Sequence, residues 1–475
     1  MVVHLLGYVL GAEAVLMLLP LAVALVYGEP IAPFAVVVVL LAAVSAGMLL
    51  VRPRTRSLYA KEGFLIVSLA WVLVSLFGAL PFVISGAIPH YVDALFETVS
   101  GFTTTGASIL RDVEVLPRGL LFWRSFTHWI GGMGVLVLVM AVLPLANDRS
   151  MHVMRAEVPG PSVGKLVPRA QHTAMLLYGI YLALTMIEIA LLLAGGMPLF
   201  DSVVNAFGTA GTGGFSIKNA SIGAYDSAYI DAVIGVFMLL FGVNFNVYFL
   251  LLMRDFKQAL KCEELYVYLG IVGVSVALIS VNILPVVGNA GAALRQSFFQ
   301  VSSIITTTGF ATADYTLWPT FSQSALFLLM LIGACGGSTG GGIKVSRLII
   351  LVKKCARDMV RLVHPRAVGA VRLNGKRVDD ETSHSVGIFF IAYMLILGAA
   401  TLLVSLDGFD FATTLSTTVS CMGNIGPGLG LVGPAGSFSS FSPPSKLVLS
   451  LVMLLGRLEI FPLMLALSPT LYRKK

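Results

Sequence analysis

The sequence predicts an all-α, polytopic membrane fold assembled from four internal repeats, with two further transmembrane helices ahead of the first. Three observations carry that expectation. Of the 475 residues, 57% are hydrophobic and 12% charged, where a soluble domain devotes about 25% to charge. Apolar runs long enough to cross about 30 Å of hydrocarbon recur along the whole chain. Between them a short Thr/Ser/Gly-rich segment returns four times.

The spans are expected at 5–27, 33–50, 62–84, 121–146, 172–195, 229–252, 265–287, 323–360, 385–406 and 445–468. The first run, near Leu6 to Val26, has almost no basic flank and no small-residue cleavage signal, and another apolar run follows at once, so it reads as a retained helix. The units are expected at 1–60 for the N-terminal pair, then 61–170, 171–263, 264–382 and 383–475 for the four repeats.

Charge gives the orientation. Most of the 31 Lys and Arg fall in alternate connections: Arg52 to Lys61, Arg149 to Arg169, Arg254 to Lys261, Lys344 to Arg377 and Arg473 to Lys475. The opposite connections hold few, among them Arg111, Arg118 and Lys218. This bias places both termini in the cytoplasm of a bacterial inner membrane. It also accounts for the net charge of +7 without nucleic acid as a partner, since no aromatic-interleaved basic domain is present. Membrane lipid is the expected surround. The segment from 354 to 384, broken by His364-Pro365, is large enough for a contact surface or linker and too short for a nucleotide-binding domain. The four cysteines stand singly and far from any histidine cluster, which argues against a disulfide framework or structural zinc.

The repeated segments are DALFETVSGFTTTGAS at 93–108, DSVVNAFGTAGTGGFS at 201–216, RQSFFQVSSIITTTGF at 295–310 and DFATTLSTTVSCMGNIGP at 410–427. Each opens with about ten helix-compatible residues and turns into Thr, Ser and Gly, and the repeat distance is roughly 95 to 117 residues. A single Thr/Gly cluster is as readily an ordinary loop. Four in equivalent places, each between two spans, are better explained as re-entrant segments, because non-helical backbone at membrane depth survives only inside protein or along a water-filled path. There it presents carbonyl oxygens that replace a cation's hydration shell. The candidate cation-binding residues are Thr104, Thr105 and Gly106; Thr212, Gly213 and Gly214; Thr307, Thr308 and Gly309; and Asn424, Ile425 and Gly426. The glycines are expected where positive φ turns a carbonyl inward. Asp93, Asp201 and Asp410 read as caps of the short helices, and Glu97 as a support of the first segment or a source of negative potential.

Two further polar features lie within apolar spans. Gly333-Ala-Cys-Gly-Gly-Ser-Thr-Gly-Gly-Gly-Ile-Lys344 interrupts the long tract 323–360, and so many glycines do not hold a helix. It is not a phosphate-binding loop, since Gly342 is followed by Ile343 and Lys344 by Val345. Gly336, Gly337, Ser338, Thr339, Gly340, Gly341, Gly342 and Lys344 are the candidate gate residues; close helix packing through small residues is the competing account. Arg457 and Glu459 lie in the last span, where Arg457 either flanks that loop as a barrier or pairs with Glu459 or Glu188. Arg124, His128, Asn244 and Asn246 occupy comparable places in earlier spans, the asparagines as possible helix bridges. No catalytic constellation is visible, so an enzyme is not expected.

SGFTTTGAS at 100–108, SSIITTTGF at 302–310, GGSTGGGIK at 336–344, GNIGPG at 423–428 and GRLEIFP at 456–462 together resemble the Trk/Ktr/HKT superfamily of cation transporters, Trk-type potassium uptake subunits above all, over nearly the full chain. The resemblance implies four M1–pore helix–M2 repeats, potassium-channel-like, around one pore. It implies that Gly106, Gly214, Gly309 and Gly426 are filter glycines, that 334–344 is an intramembrane gate and that Arg457 is its basic neighbour. It implies K+ as the transported ion, no cofactor on this chain, a homodimer, and a cytoplasmic nucleotide-binding regulatory subunit of TrkA-like type, for which 353–377 is a suitable docking surface. GTGGF and GNIGP depart from TTTG, so strict fourfold symmetry is not expected. The competing class is a proton- or sodium-coupled symporter using the same filter; the parallel orientation of the repeats favours a gated pore over inverted-repeat alternating access.

Overall fold

A computed structural model describes residues 1–51, 60–134, 170–365 and 369–468. Among these residues, six helices are long and apolar enough to cross a membrane: Val2–Val26, Ala32–Leu50, Glu62–Ile84, Ala174–Ala194, Glu263–Val287 and Asp380–Asp407. They agree with the expected spans within a few residues. The first two pack lengthwise on each other. Small residues make that contact close, with the Ser45 hydroxyl donating to the Gly7 carbonyl at 2.7 Å and Gly11 facing the same serine.

The other four begin the repeats as outer helices. Each is followed by a short pore helix: Tyr91–Phe102, Leu199–Ala210, Ala290–Ile305 and Phe411–Gly423. The inner helices start at Arg118, Ala228, Thr320 and Pro443. Expected caps hold in part. Asp410 accepts from the Thr413 amide at 3.0 Å, whereas Asp93 pairs with Lys446 and Asp201 accepts from the Tyr225 hydroxyl. These two aspartates stand inside the first helical turn, where the dipole favours them, but their oxygens tie the pore helices to neighbouring segments.

The inner helices correct the expectation most. One break was expected, in 323–360; three continuous spans at 121–146, 229–252 and 445–468 were expected beside it. The structure breaks the second inner helix between Phe241 and Phe245 with an 88° bend. The third stops at Ile332 and resumes at Val345. The fourth breaks at Leu458–Ile460, where Glu459 and Ile460 both have positive φ, an unusual conformation for a β-branched residue. The first ends at Met133, before Gly134 at φ 89°; the remainder of the expected span 121–146 lies outside the described residues, as do the basic clusters at 52–56, 149–169 and 473–475. Beyond the loop, helix Val345–Val363 ends at His364 as the His-Pro pair predicts. A two-stranded hairpin then pairs Arg372–Leu373 with Lys376–Arg377. Its Asn374-Gly375 turn has both residues at positive φ, the hairpin signal the sequence carries at that point.

Candidate functional site: a closed ring and the loop beneath it

The four Thr/Gly segments share one local structure. The amides of Thr105, Gly213, Thr308 and Ile425 donate to the carbonyls of Ser100, Gly208, Ser303 and Ser420 at 2.8–3.0 Å. The amides of Thr104, Thr212, Thr307 and Asn424 donate to Gly101, Thr209, Ile304 and Cys421 at 3.0–3.3 Å. This is a Schellman cap on each pore helix, with Thr or Asn at the left-handed position (φ 53–60°) where glycine is usual. Two residues on, Gly106, Gly214, Gly309 and Gly426 are again at positive φ, from 74° to 99°. Alternating left-handed and ordinary residues turn successive carbonyls to one side, an arrangement no helix or strand gives.

Contacts between repeats close these segments into a circle. A Cβ on Gly106 would meet the Gly213 carbonyl oxygen; on Gly214, that of Thr308; on Gly309, that of Ile425; and on Gly426, that of Thr105. All four contacts would be closer than 3.0 Å, a separation real Cβ atoms essentially never show. Each glycine therefore makes room for the carbonyl that precedes its counterpart in the next repeat, and the order of repeats runs 1–2–3–4 and back to 1. The C-terminal carbonyl ends of the four pore helices lead into this ring, adding their negative dipole ends.

Behind the ring the fourfold symmetry is lost, in line with the departures from TTTG. In repeats 1 and 3, paired hydroxyls buttress the segment: Thr103 with Thr105 at 2.7 Å and Thr306 with Thr308 at 2.8 Å. Repeats 2 and 4 lack those pairs. In repeat 2, His128 fills the space left open by Gly211 and Gly213. Its Nδ1 lies 2.7 Å from the Gly101 carbonyl and its Nε2 accepts from the Phe215 amide, which assigns the neutral Nδ1–H tautomer. In repeat 4, the Asn424 amide group donates to Thr105 Oγ1 at 3.0 Å and to the Met453 carbonyl at 2.9 Å.

Glu97 sits beside the ring, not in it. Its two oxygens accept from Ser108 Oγ and the Ile109 amide, both at 2.9 Å, and Arg124 pairs with it at 2.6 Å. Arg124 continues to the Ser216 carbonyl in repeat 2 and covers the Phe215 ring. With its charge matched by Arg124, Glu97 acts as a support and supplies no free negative potential. Glu97→Ala is expected to destabilise the protein by about 3–5 kcal/mol, because it strands a buried guanidinium. The check is thermal unfolding in detergent: the single variant should melt well below wild type, and the pair Glu97→Ala/Arg124→Met should recover part of the loss. A single variant that melts with wild type would remove this role.

Below the ring, the inner-helix breaks of repeats 2 and 4 meet the loop 333–344, and Arg457 joins that of repeat 1 to it. The amides of Cys335 and Thr339 donate to the carbonyls of Gly242 and Phe241, while the Phe245 amide donates to Gly337. The loop thus takes up backbone groups that the bend in repeat 2 frees. Asn244 caps the second half of that helix by accepting from the Asn246 amide, and its side chain also hydrogen-bonds Glu264 on the next outer helix, the bridge the sequence suggested. From repeat 4, Arg457 donates to the Thr339 carbonyl in the loop and to Gly131 and Gly132 at the break in repeat 1, each at 2.6 Å. The Lys344 ammonium donates back to the Gly340 carbonyl within the loop. The Gly341 amide donates to Thr307 Oγ1 at 2.7 Å, directly at the ring. Glu459, offered as a partner for Arg457, is engaged by Arg347.

One functional side chain escaped the sequence reasoning. Glu264, 4% exposed, accepts from the amides of both Gly336 and Ser346. In sequence it stands beside Glu263 at a helix start, where an acid is an ordinary first-turn residue, and only the fold brings the loop to it.

One closed ring of pore-helix ends within a polytopic helical fold defines a membrane transport protein built from four repeats. The chain belongs to the TrkH family: the model of that family, described as cation transport protein, matches residues 32–267 and 267–472. The Trk system potassium uptake protein TrkH of Salmonella typhimurium is 39% identical over 468 residues, covering 96% of each chain. The Trk system potassium uptake protein TrkG of Escherichia coli is 35% identical, covering 99% of this chain and 98% of its own. The crystal structure of the potassium transporter TrkH from Vibrio parahaemolyticus superposes with a TM-score of 0.89 at 34% identity, covering 99% of both chains.

Proposed function

We propose that this chain takes up potassium across the inner membrane of a bacterium through the ring, with Thr104–Gly106, Thr212–Gly214, Thr307–Gly309 and Asn424–Gly426 as the selectivity filter. The observation that carries this reading is the cyclic fit of each glycine against the next repeat's carbonyl. It fixes backbone oxygens in a closed circle, the donor set that replaces water around a monovalent cation. The relatives named as potassium uptake proteins supply the ion.

The loop 334–344 serves as the gate, with Arg457 and Lys344 placing positive charge directly under the filter while the loop is in position. Both termini face the cytoplasm, following the distribution of Lys and Arg. The protein works as a homodimer that carries a cytoplasmic nucleotide-binding regulatory subunit. The exposed Arg361, Arg372, Lys376 and Arg377, on the helix and hairpin beyond the loop, offer that subunit a basic face.

The test is ion flux in proteoliposomes with a potassium gradient alone, then with sodium alone. Uptake driven by potassium without any proton or sodium gradient is the expected result. Uptake that requires a proton or sodium gradient would move the assignment to a coupled symporter. Absence of cation flux under every gradient, with folded protein, would overturn the filter assignment.

A further inference from the structure

We propose that Glu264 is the positioning residue that holds the intramembrane loop in its closed place, and that Glu263 links this hold to the cytoplasmic hairpin. The proposal rests on the reading of the loop as a gate.

The geometry is that of a staple. One oxygen, Oε1 of Glu264, accepts from the Gly336 amide at 2.7 Å and from the Ser346 amide at 2.9 Å. These amides bracket the glycine-rich stretch, so a single buried carboxylate fixes both of its ends. Both bonds are charge-assisted. The second lies in the first turn of helix Val345–Val363, where the helix dipole adds to the attraction for an anion. Glycines at 336, 337, 340, 341 and 342 leave the stretch between with little conformational preference of its own. Its position therefore depends on what holds its ends and on the few bonds to Thr307 and to repeats 2 and 4 described above.

Glu263 extends the hold to the cytoplasmic surface. Its amide donates to Asn374 Oδ1 in the hairpin turn at 2.8 Å, and its carboxylate pairs with Lys353 on helix Val345–Val363. Lys353 in turn donates to the Arg372 carbonyl of the hairpin at 2.9 Å. Two consecutive acids thus join the loop, on one side, to an exposed hairpin, on the other. A partner that displaces the hairpin moves residue 263, and with it the carboxylate that pins the loop at residue 264.

The experiment compares rubidium uptake into proteoliposomes by wild type, Glu264→Ala, Glu264→Gln and Lys353→Ala, without any cytoplasmic partner. Glu264→Ala is expected to raise uptake by about tenfold or more, the effect of losing the acceptor of two charge-assisted bonds in the closed state only. The potassium-to-sodium ratio should not change. Glu264→Gln keeps an oxygen acceptor for both amides but loses the charge, so its uptake should fall between wild type and Glu264→Ala, a partial rescue that loss of fold would not show. Lys353→Ala keeps Glu264 and should give a smaller rise. Equal uptake by wild type and Glu264→Ala, or an equal rise in the Gln variant, would overturn the pin. An unchanged Lys353→Ala would overturn the link to the hairpin. A variant lacking residues 336–341 serves as the open reference: conduction by it alongside an inert Glu264→Ala would leave the pore standing, and silence from it would overturn the pore and the pin together.

Discussion

Gly106→Ser is expected to lower the preference for potassium over sodium by at least about tenfold while leaving the protein folded. A side chain at this position meets two obstacles. The backbone is at φ 77°, which costs an L-residue on the order of 1–2 kcal/mol. The Cβ would also overlap the Gly213 carbonyl oxygen of the next repeat, and that oxygen must turn or retreat. Either movement widens one quarter of a ring whose discrimination depends on the number and placement of its oxygens. Competition between potassium and sodium for uptake reads the effect directly. Normal flux with an unchanged ratio would show that the ring does not select. Gly214→Ser should act in the same way, because its Cβ would displace the Thr308 carbonyl. Gly309→Ser is expected to be harsher, since Pro427 Cδ stands 2.8 Å from its Cβ position in addition to the Ile425 carbonyl. A pyrrolidine ring cannot turn aside as a peptide can.

The ring was legible in the sequence because its geometry is local. The left-handed position two residues after each cap favours glycine, and this leaves a mark at Gly106, Gly214, Gly309 and Gly426 even where the Thr residues around them are lost; the left-handed caps at Thr104, Thr212 and Thr307 run against the preference of a β-branched residue and leave no such mark. The spans were legible for a similar reason, since lipid demands long apolar runs. The breaks in the second and fourth inner helices were not. Phe241-Gly242-Val243-Asn244 and Leu458-Glu459-Ile460 lie in stretches with one glycine or none, and propensity alone would carry a helix through them. They break because the loop of repeat 3 offers partners for the freed backbone groups, as at Phe241, Gly242 and Phe245, and because Arg347 holds the carboxylate of Glu459. Such partners come from positions about a hundred residues away and leave no periodic trace. Glu264 was hidden by the same circumstance.

The ion pair behind the ring illustrates a different limit. Glu97 and Arg124 were each visible as intramembrane charges, and each invited a separate role. Their pairing at 2.6 Å cancels the electrostatic role suggested for Glu97 and replaces it with a mechanical one, joining the first Thr/Gly segment to the Ser216 carbonyl of the second repeat. Sequence shows that a buried charge needs a partner; it does not show which of several candidates the fold delivers.

Arg457→Ala is expected to increase basal cation flux by an order of magnitude or more, and the reason lies in where its three bonds end. The guanidinium spans from repeat 4 to the Thr339 carbonyl of the loop and to Gly131 and Gly132 of repeat 1, so it ties the loop to the side opposite the bend in repeat 2. Hydrogen bonds to a charged donor contribute about 1.5–3 kcal/mol each, and their loss falls on the closed position, where all three exist together. Removal also takes one fixed positive charge from beneath a ring built to attract cations, and in a low-dielectric surround that charge is a barrier in its own right. The two contributions separate in Arg457→Lys. An ammonium keeps the charge but lacks the planar fork needed to serve both sides at once, so its flux should fall between wild type and Arg457→Ala. A lysine variant as conductive as the alanine would assign the barrier to the tether, and one as closed as wild type would assign it to charge. Folded Arg457→Ala with wild-type flux would mean that neither contributes, and the loop would be held by its contacts to Glu264, Thr307 and repeat 2.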